Sequence, residues 1–148
     1  MNRDFKEMLG ELSEAAAEFM VIGAHAVALY ATPRATGDLG IWVHNTRENA
    51  ERVWSALVGF GAPLDELTQE DLVSDDLVFQ IGLAPSRIDI LTTIGGVEFA
   101  EAWPRRIGVS LWGMTVPVMG REDLIRSKRA AGREKDLADL AELERGTK

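Results

Sequence analysis

The chain has 148 residues and a net charge of −8, with 46% hydrophobic and 27% charged residues. These values predict one globular domain over residues 1–148 and argue against a surface built broadly for nucleic acid. The sequence has no run of eighteen apolar residues, so we predict no membrane span, and no apolar signal core follows Met1. Because the sequence has no cysteine, disulfides and thiolate sites are excluded, and we expect a cytoplasmic protein.

Hydrophobic periodicity and turn residues predict an α+β domain, with a mixed sheet covered by helices. The predicted helices cover 4–18, 24–31, a capped stretch from 45–48 to Leu57 or Val58, part of 65–76, 97–103, and two segments after Arg121 that are broken near Gly132. The predicted strands cover 19–22, 38–44, 77–81, 87–91, 107–112 and 115–118, the last two forming a hairpin.

Two features of this pattern suggest a binding site. The strand at 19–22 ends at Gly23 and a helix follows, which leaves free backbone N–H groups where a phosphate could bind. Asp38 opens the next strand, and Asp89 interrupts an apolar strand, where an unpaired carboxylate is costly.

Asp38 and Asp89 would repel each other if their strands were neighbours. Two like charges about 4 Å apart cost roughly 4 kcal/mol at an effective dielectric near 20. A cation should therefore lie between them. It is either a divalent metal ion or a basic side chain, for which Arg34, Arg87 and Lys128 are the candidates.

Four stretches together resemble the nucleotidyltransferase superfamily, and they extend over most of the chain. They are Gly23-Ala24, residues 34–38 (Arg-Ala-Thr-Gly-Asp), residues 87–89 (Arg-Ile-Asp) and residues 124–140. The likeness is to the small single-domain branch that includes minimal nucleotidyltransferases and AbiEii-type toxins. It implies a nucleotidyltransferase-like mixed β-sheet flanked by helices, with a C-terminal helical pair.

The resemblance also implies an activity, which is the transfer of a nucleoside monophosphate from an NTP to an acceptor hydroxyl with Mg²⁺ or Mn²⁺. Asp38 and Asp89 would be its catalytic and metal-binding acids. The implied nucleotide contacts are Gly23, Ala24, Arg34, Thr36, Lys128 and Arg133. For the last two, the alternative is a basic helix face that is open to solvent and paired with acids. The acceptor would be tRNA, a protein or a small molecule, and an antitoxin is a possible partner.

Gly40 departs from the family pattern, which has a second strand carboxylate at this position. Three accounts are open: a degenerate enzyme that still binds nucleotide, an altered version of an active parent, or substitution by another acid. Whether the chain is an enzyme is therefore open as well. One alternative is a non-catalytic nucleotide-binding or regulatory module, such as a toxin–antitoxin component, and another is a purely structural α+β domain in which the motif is accidental.

Overall fold

The computed structural model describes residues 2–31, 37–83 and 85–145, which form an α+β fold with a six-stranded mixed sheet and six α-helices. The helices are α1 (Arg3–Glu14), α2 (Gly23–Tyr30), α3 (Arg47–Phe60), α4 (Phe99–Ala102), α5 (Arg121–Ala131) and α6 (Glu134–Arg145). The strands are β1 (Phe19–Ile22), β2 (Leu39–Val43), β3 (Val78–Ile81), β4 (Ile88–Leu91), β5 (Ile107–Leu111) and β6 (Met114–Val118). Within the described ranges, no helix is both long and apolar enough to cross a membrane.

The sheet has the strand order β3-β4-β2-β1-β6-β5. Strand β2 runs antiparallel to β1 and parallel to β4, and β1 pairs with β6 in parallel. In this register Ile22 lies opposite Gly40, and Gly40 lies opposite Asp89. Because directly paired residues project from the same face of a sheet, these three positions form one row across β1, β2 and β4.

The central strand β2 is covered on both of its faces. Leu39, Ile41, Trp42 and Val43 are each no more than 1% exposed, although successive side chains of a strand point in opposite directions. Trp42 is the largest of the fully buried side chains, and its indole N–H donates to the carbonyl of Thr92 at 3.2 Å. Asp38, the residue just before β2, therefore adjoins a strand that is fixed in the core.

Several element boundaries differ from the sequence prediction, among them those of the first helix, the acidic stretch and strand β2. The first helix ends at Glu14 rather than at residue 18, because Ala16 takes a left-handed backbone (φ 58°) and the N–H of Ala17 bonds back to the carbonyl of Leu12. The acidic stretch 65–76 forms only a 3₁₀ turn at Glu70–Val73. Strand β2 starts at Leu39, so the predicted first residue of that strand, Asp38, stands just before it.

The buried side chain of Asn49 joins the first turn of α3 to the ends of two strands. Its amide N–H₂ donates to the carbonyls of Glu18 (2.9 Å) and His44 (2.8 Å), and its oxygen accepts from the N–H of Glu18 (2.7 Å). Glu18 immediately precedes β1, and His44 immediately follows β2. Asn49 is only 2% exposed, so its amide group is shielded from water.

Candidate functional site

The Gly23 turn joins the end of β1 to the start of α2. Gly23 has a φ of 72°, in the left-handed region that favours glycine over residues with a Cβ atom. The residue that precedes the helix, Ile22, provides no side-chain cap for it. The first-turn N–H groups, which include that of Ala24, have no intrahelical partner, and such groups are suited to an anion.

Asp38 and Asp89 converge on one face of the sheet from two adjacent parallel strands. Asp89 lies opposite Gly40 in the pairing of β4 with β2. Asp38 stands just before β2, and its carboxylate contacts the same Arg87 guanidinium as the carboxylate of Asp89 does. The expected pair of acids is thus brought together by the parallel register.

The Arg87 side chain lies between the two acids. Its Nη2 atom is 2.9 Å from Oδ2 of Asp38, and its Nε donates to Oδ1 of Asp89 at 2.9 Å. Its backbone N–H also donates to Oδ1 of Asp38 at 3.2 Å. The hydrogen bond to Asp89 raises the pKa of Arg87 above its ordinary value, so the guanidinium stays charged. Of the basic candidates that the structure describes, Arg87 occupies this position and Lys128 does not, whereas Arg34 lies outside the described residues.

The acids as arranged do not fit a divalent cation. Carboxylate oxygens are the donors that Mg²⁺ prefers, but both acids are engaged by Arg87, and Gly40 contributes no oxygen. Among the residues that the structure describes, no group of three or more acidic or histidine side chains is placed to hold a metal ion.

Gly40 lies between Asp89 and Ile22, where the space for a side chain is tight. Its φ is outside the left-handed region, so a residue with a side chain could take the same backbone. A Cβ atom added there would lie 3.2 Å from Cγ1 of Ile22 and 3.5 Å from its carbonyl oxygen. A side chain at position 40 would therefore point towards Ile22 and require it to shift by a few tenths of an ångström.

A cleft of about 250 Å³ lies beside this row, between the sheet, the Gly23 turn and the helices α5 and α6. Its walls include Ile22, Gly23, Leu91, Leu124, Lys128 and Arg133. Neither Asp38 nor Asp89 is among its described lining residues. Because Ile22 shares a row with Gly40 and Asp89, the acids stand next to the cleft, and the missing side chain of Gly40 falls between the two.

Lys128 lies in this wall, but its charge is balanced within the protein. The side chain is 10% exposed, and its Nζ atom is 3.2 Å from Oδ1 of Asp136 and 3.1 Å from Oδ2 of Asp139. Burial acts to raise the pKa of Asp136, yet hydrogen bonds from Arg133 and Lys128 outweigh it and hold that pKa below its ordinary value. The interpretation of Lys128 as part of a face open to solvent is therefore wrong.

Arg133 is the more accessible cation of the cleft. Its side chain is 65% exposed, and its Nε donates to Oδ2 of Asp136. Arg129, near the end of α5, instead pairs with Glu144 at 2.7 Å and is not part of the described cleft wall. Helix α5 thus presents the buried Lys128 to the cleft, and the connection between α5 and α6 presents the exposed Arg133.

The sequence did not lead us to predict that Asp136 and Asp139 are buried and both bind the ammonium group of Lys128. The only signal was their spacing of three residues on a predicted helix, which places two acids on one face.

The predicted contacts Arg34 and Thr36 lie outside the described residues. Comparisons with models of known protein families and with curated proteins gave no match.

Proposed function

We propose that this chain is a nucleotidyltransferase-like protein that binds a nucleoside triphosphate in the cleft, and that Gly40 impairs its transfer of a nucleoside monophosphate to an acceptor hydroxyl. One observation carries the proposal. The carboxylates of Asp38, just before β2, and of Asp89, on the adjacent parallel strand β4, converge beside the sheet face that also forms a wall of the cleft.

The cleft offers two kinds of group to a triphosphate. The first-turn N–H groups of α2 at Gly23 have no side-chain cap, and Arg133 presents an exposed guanidinium. Backbone amides at a helix start and arginine are both effective phosphate ligands. Apolar residues such as Leu91 and Leu124 complete the wall and would suit the flat face of a base.

The transfer step is expected to be slow. The resemblance implies Mg²⁺ or Mn²⁺ chemistry that depends on carboxylates from both strands. Because Gly40 has no side-chain oxygen, the present residues supply fewer oxygen ligands than this metal chemistry requires. We therefore expect nucleotide binding to be retained better than turnover.

A non-catalytic nucleotide-binding or regulatory module, such as one component of a toxin–antitoxin pair, is the second candidate. The contacts of Arg87 favour it, because one guanidinium already satisfies Asp38 and Asp89. In that case the acids would maintain the fold, and the cleft alone would be functional.

Calorimetric titration with each NTP, with and without Mg²⁺, tests both candidates. Transfer of α-phosphate label to tRNA, to a protein pool or to the chain itself then separates them. Label transfer with Mg²⁺ or Mn²⁺ supports the enzyme, whereas binding without transfer supports the module. If no NTP binds under any condition, both proposals fail.

A further inference from the structure

We propose that Arg87 occupies the place of a divalent cation between Asp38 and Asp89, so that these acids bind such an ion only when the Arg87 side chain moves away. The inference concerns the regulation of the proposed site and rests on the proposed function for its biological meaning. Its test uses a metal ion alone and does not depend on nucleotide binding.

The geometry is that of a shared counterion. Arg87 is 2.9 Å from an oxygen of each acid, and a further contact joins its Nη2 to Oδ2 of Asp89 at 3.3 Å. The three side chains are 33%, 25% and 21% exposed for Arg87, Asp38 and Asp89, so solvent screens the cluster only in part. The guanidinium therefore keeps two converging acids from repelling each other in the metal-free protein.

The charge balance relates Arg87 to Gly40. Two carboxylates and one guanidinium sum to −1, so a single arginine leaves little charge unbalanced. A third acid at position 40, next to Asp89 in the same row, would bring the sum to −2 and favour a divalent ion. The glycine thus removes the charge that would otherwise draw a metal ion into competition with Arg87.

Only the side chain of Arg87 has to move for a cation to bind. Its backbone is held by the N–H donated to Asp38 and by its carbonyl, which accepts from the N–H of Leu39 at 2.9 Å. The bond from Leu39 continues the β2–β4 ladder, and neither bond involves the guanidinium. The exposed third of the side chain gives it a path to solvent.

The test measures the binding of Mn²⁺ to the nucleotide-free full chain. Binding is detected by electron paramagnetic resonance as the loss of the signal from free Mn²⁺. Arg87→Met removes the charge but keeps an apolar stem. Arg47→Met is the matched control, because Arg47 forms an exposed two-bond pair with Glu70 at 2.8 and 3.1 Å and the substitution changes the net charge equally.

We expect Arg87→Met to bind Mn²⁺ at least about tenfold more tightly than the unaltered chain, and Arg47→Met to leave the affinity unchanged. A positive charge about 4 Å from a divalent ion opposes binding by more than a factor of ten even at the dielectric of water. Adding Asp89→Asn should abolish the gain. Equal affinity in Arg87→Met and the unaltered chain, or a gain that survives Asp89→Asn, would overturn the inference.

Arg87→Lys covers the case in which Arg87→Met does not fold. A lysine keeps the charge but lacks the planar fork that serves both acids, so Mn²⁺ should raise its melting temperature more than that of the unaltered chain. An equal rise in melting temperature with Mn²⁺ in Arg87→Lys and in the unaltered chain would refute the role of Arg87. Failure of the unaltered chain to bind any NTP would instead refute the proposed function.

Discussion

Replacing Lys128 with methionine removes the charge at the centre of the α5–α6 contact while it keeps an unbranched side chain of similar length. The Nζ atom of Lys128 lies 3.2 and 3.1 Å from carboxylates of Asp136 and Asp139, whose side chains are 0% and 4% exposed. The variant therefore leaves two buried acids without their shared cation.

The expected loss is about 3 kcal/mol in the free energy of unfolding. Removing one partner of a buried pair costs about 3–5 kcal/mol, because the other charge remains buried. The lower end applies here, since Asp136 keeps its hydrogen bond from Arg133. For a chain of this size the loss corresponds to a fall of about 6–12 °C in melting temperature.

Urea unfolding followed by tryptophan fluorescence measures the change, and Arg129→Met is the control. Arg129 pairs with Glu144 at the surface, where both side chains are at least half exposed, so its loss should cost under about 1 kcal/mol. Adding Asp139→Asn to Lys128→Met should restore part of the stability, since a neutral amide needs no cation.

The effect of pH on stability gives a second check on the contact of Lys128 with the two buried acids. Because the pKa of Asp136 is held below its ordinary value of 3.8, its stabilising contribution is present above about pH 4 and is lost as the pH falls further. The difference in the free energy of unfolding between the unaltered chain and Lys128→Met should therefore become smaller below about pH 4. Equal stability of Lys128→Met and Arg129→Met at pH 7 would refute the reasoning.

Three further outcomes are expected. Burial raises the pKa of Tyr30, the only tyrosine, to about 12, so tyrosinate absorbance at 295 nm should have its midpoint near pH 12 in the folded chain and near pH 10 in urea. Stability linked to this group is complete below pH 10 and is lost as the pH rises through 12; equal midpoints would contradict its burial. Gly40→Asp should lower the melting temperature without metal, through added repulsion and contact with Ile22, and Mg²⁺ should restore it and increase label transfer. An unchanged response to Mg²⁺ in this folded variant would count against a metal site. Arg133→Ala should weaken NTP binding about tenfold, as expected for a lost charged hydrogen bond, whereas Arg129→Ala should not; calorimetry that finds equal affinities would assign α5 and α6 to packing alone.

Local sequence patterns were sufficient to predict several elements. The apolar run 19–22 stops at a glycine, and strand β1 has those bounds. Thr46 caps α3, and Gly61 ends it in a left-handed conformation, as capping preferences predict. By contrast, nothing in the local pattern marks Ala16 as left-handed, because alanine favours a helix and the turn is set by contacts to Leu12.

The site shows where local reasoning ends. Sequence indicated that Asp38 and Asp89 need a cation, but the choice of Arg87 depends on the register of β2 against β4, which are separated by more than forty residues. The burial of Lys128 likewise depends on how α6 docks against α5. Helical periodicity places Lys128 on a face but does not say what covers that face.

The amide of Asn49 has a consequence for how the protein opens. Its bonds to Glu18 and His44 mean that the start of α3 cannot detach without freeing the backbone at the entrance to β1 and the exit of β2. The amide proton of Glu18 should therefore exchange with deuterium only in the opening event that releases α3, although it lies outside both elements. One side chain thus makes a helix and a strand pair into a single unit of local unfolding.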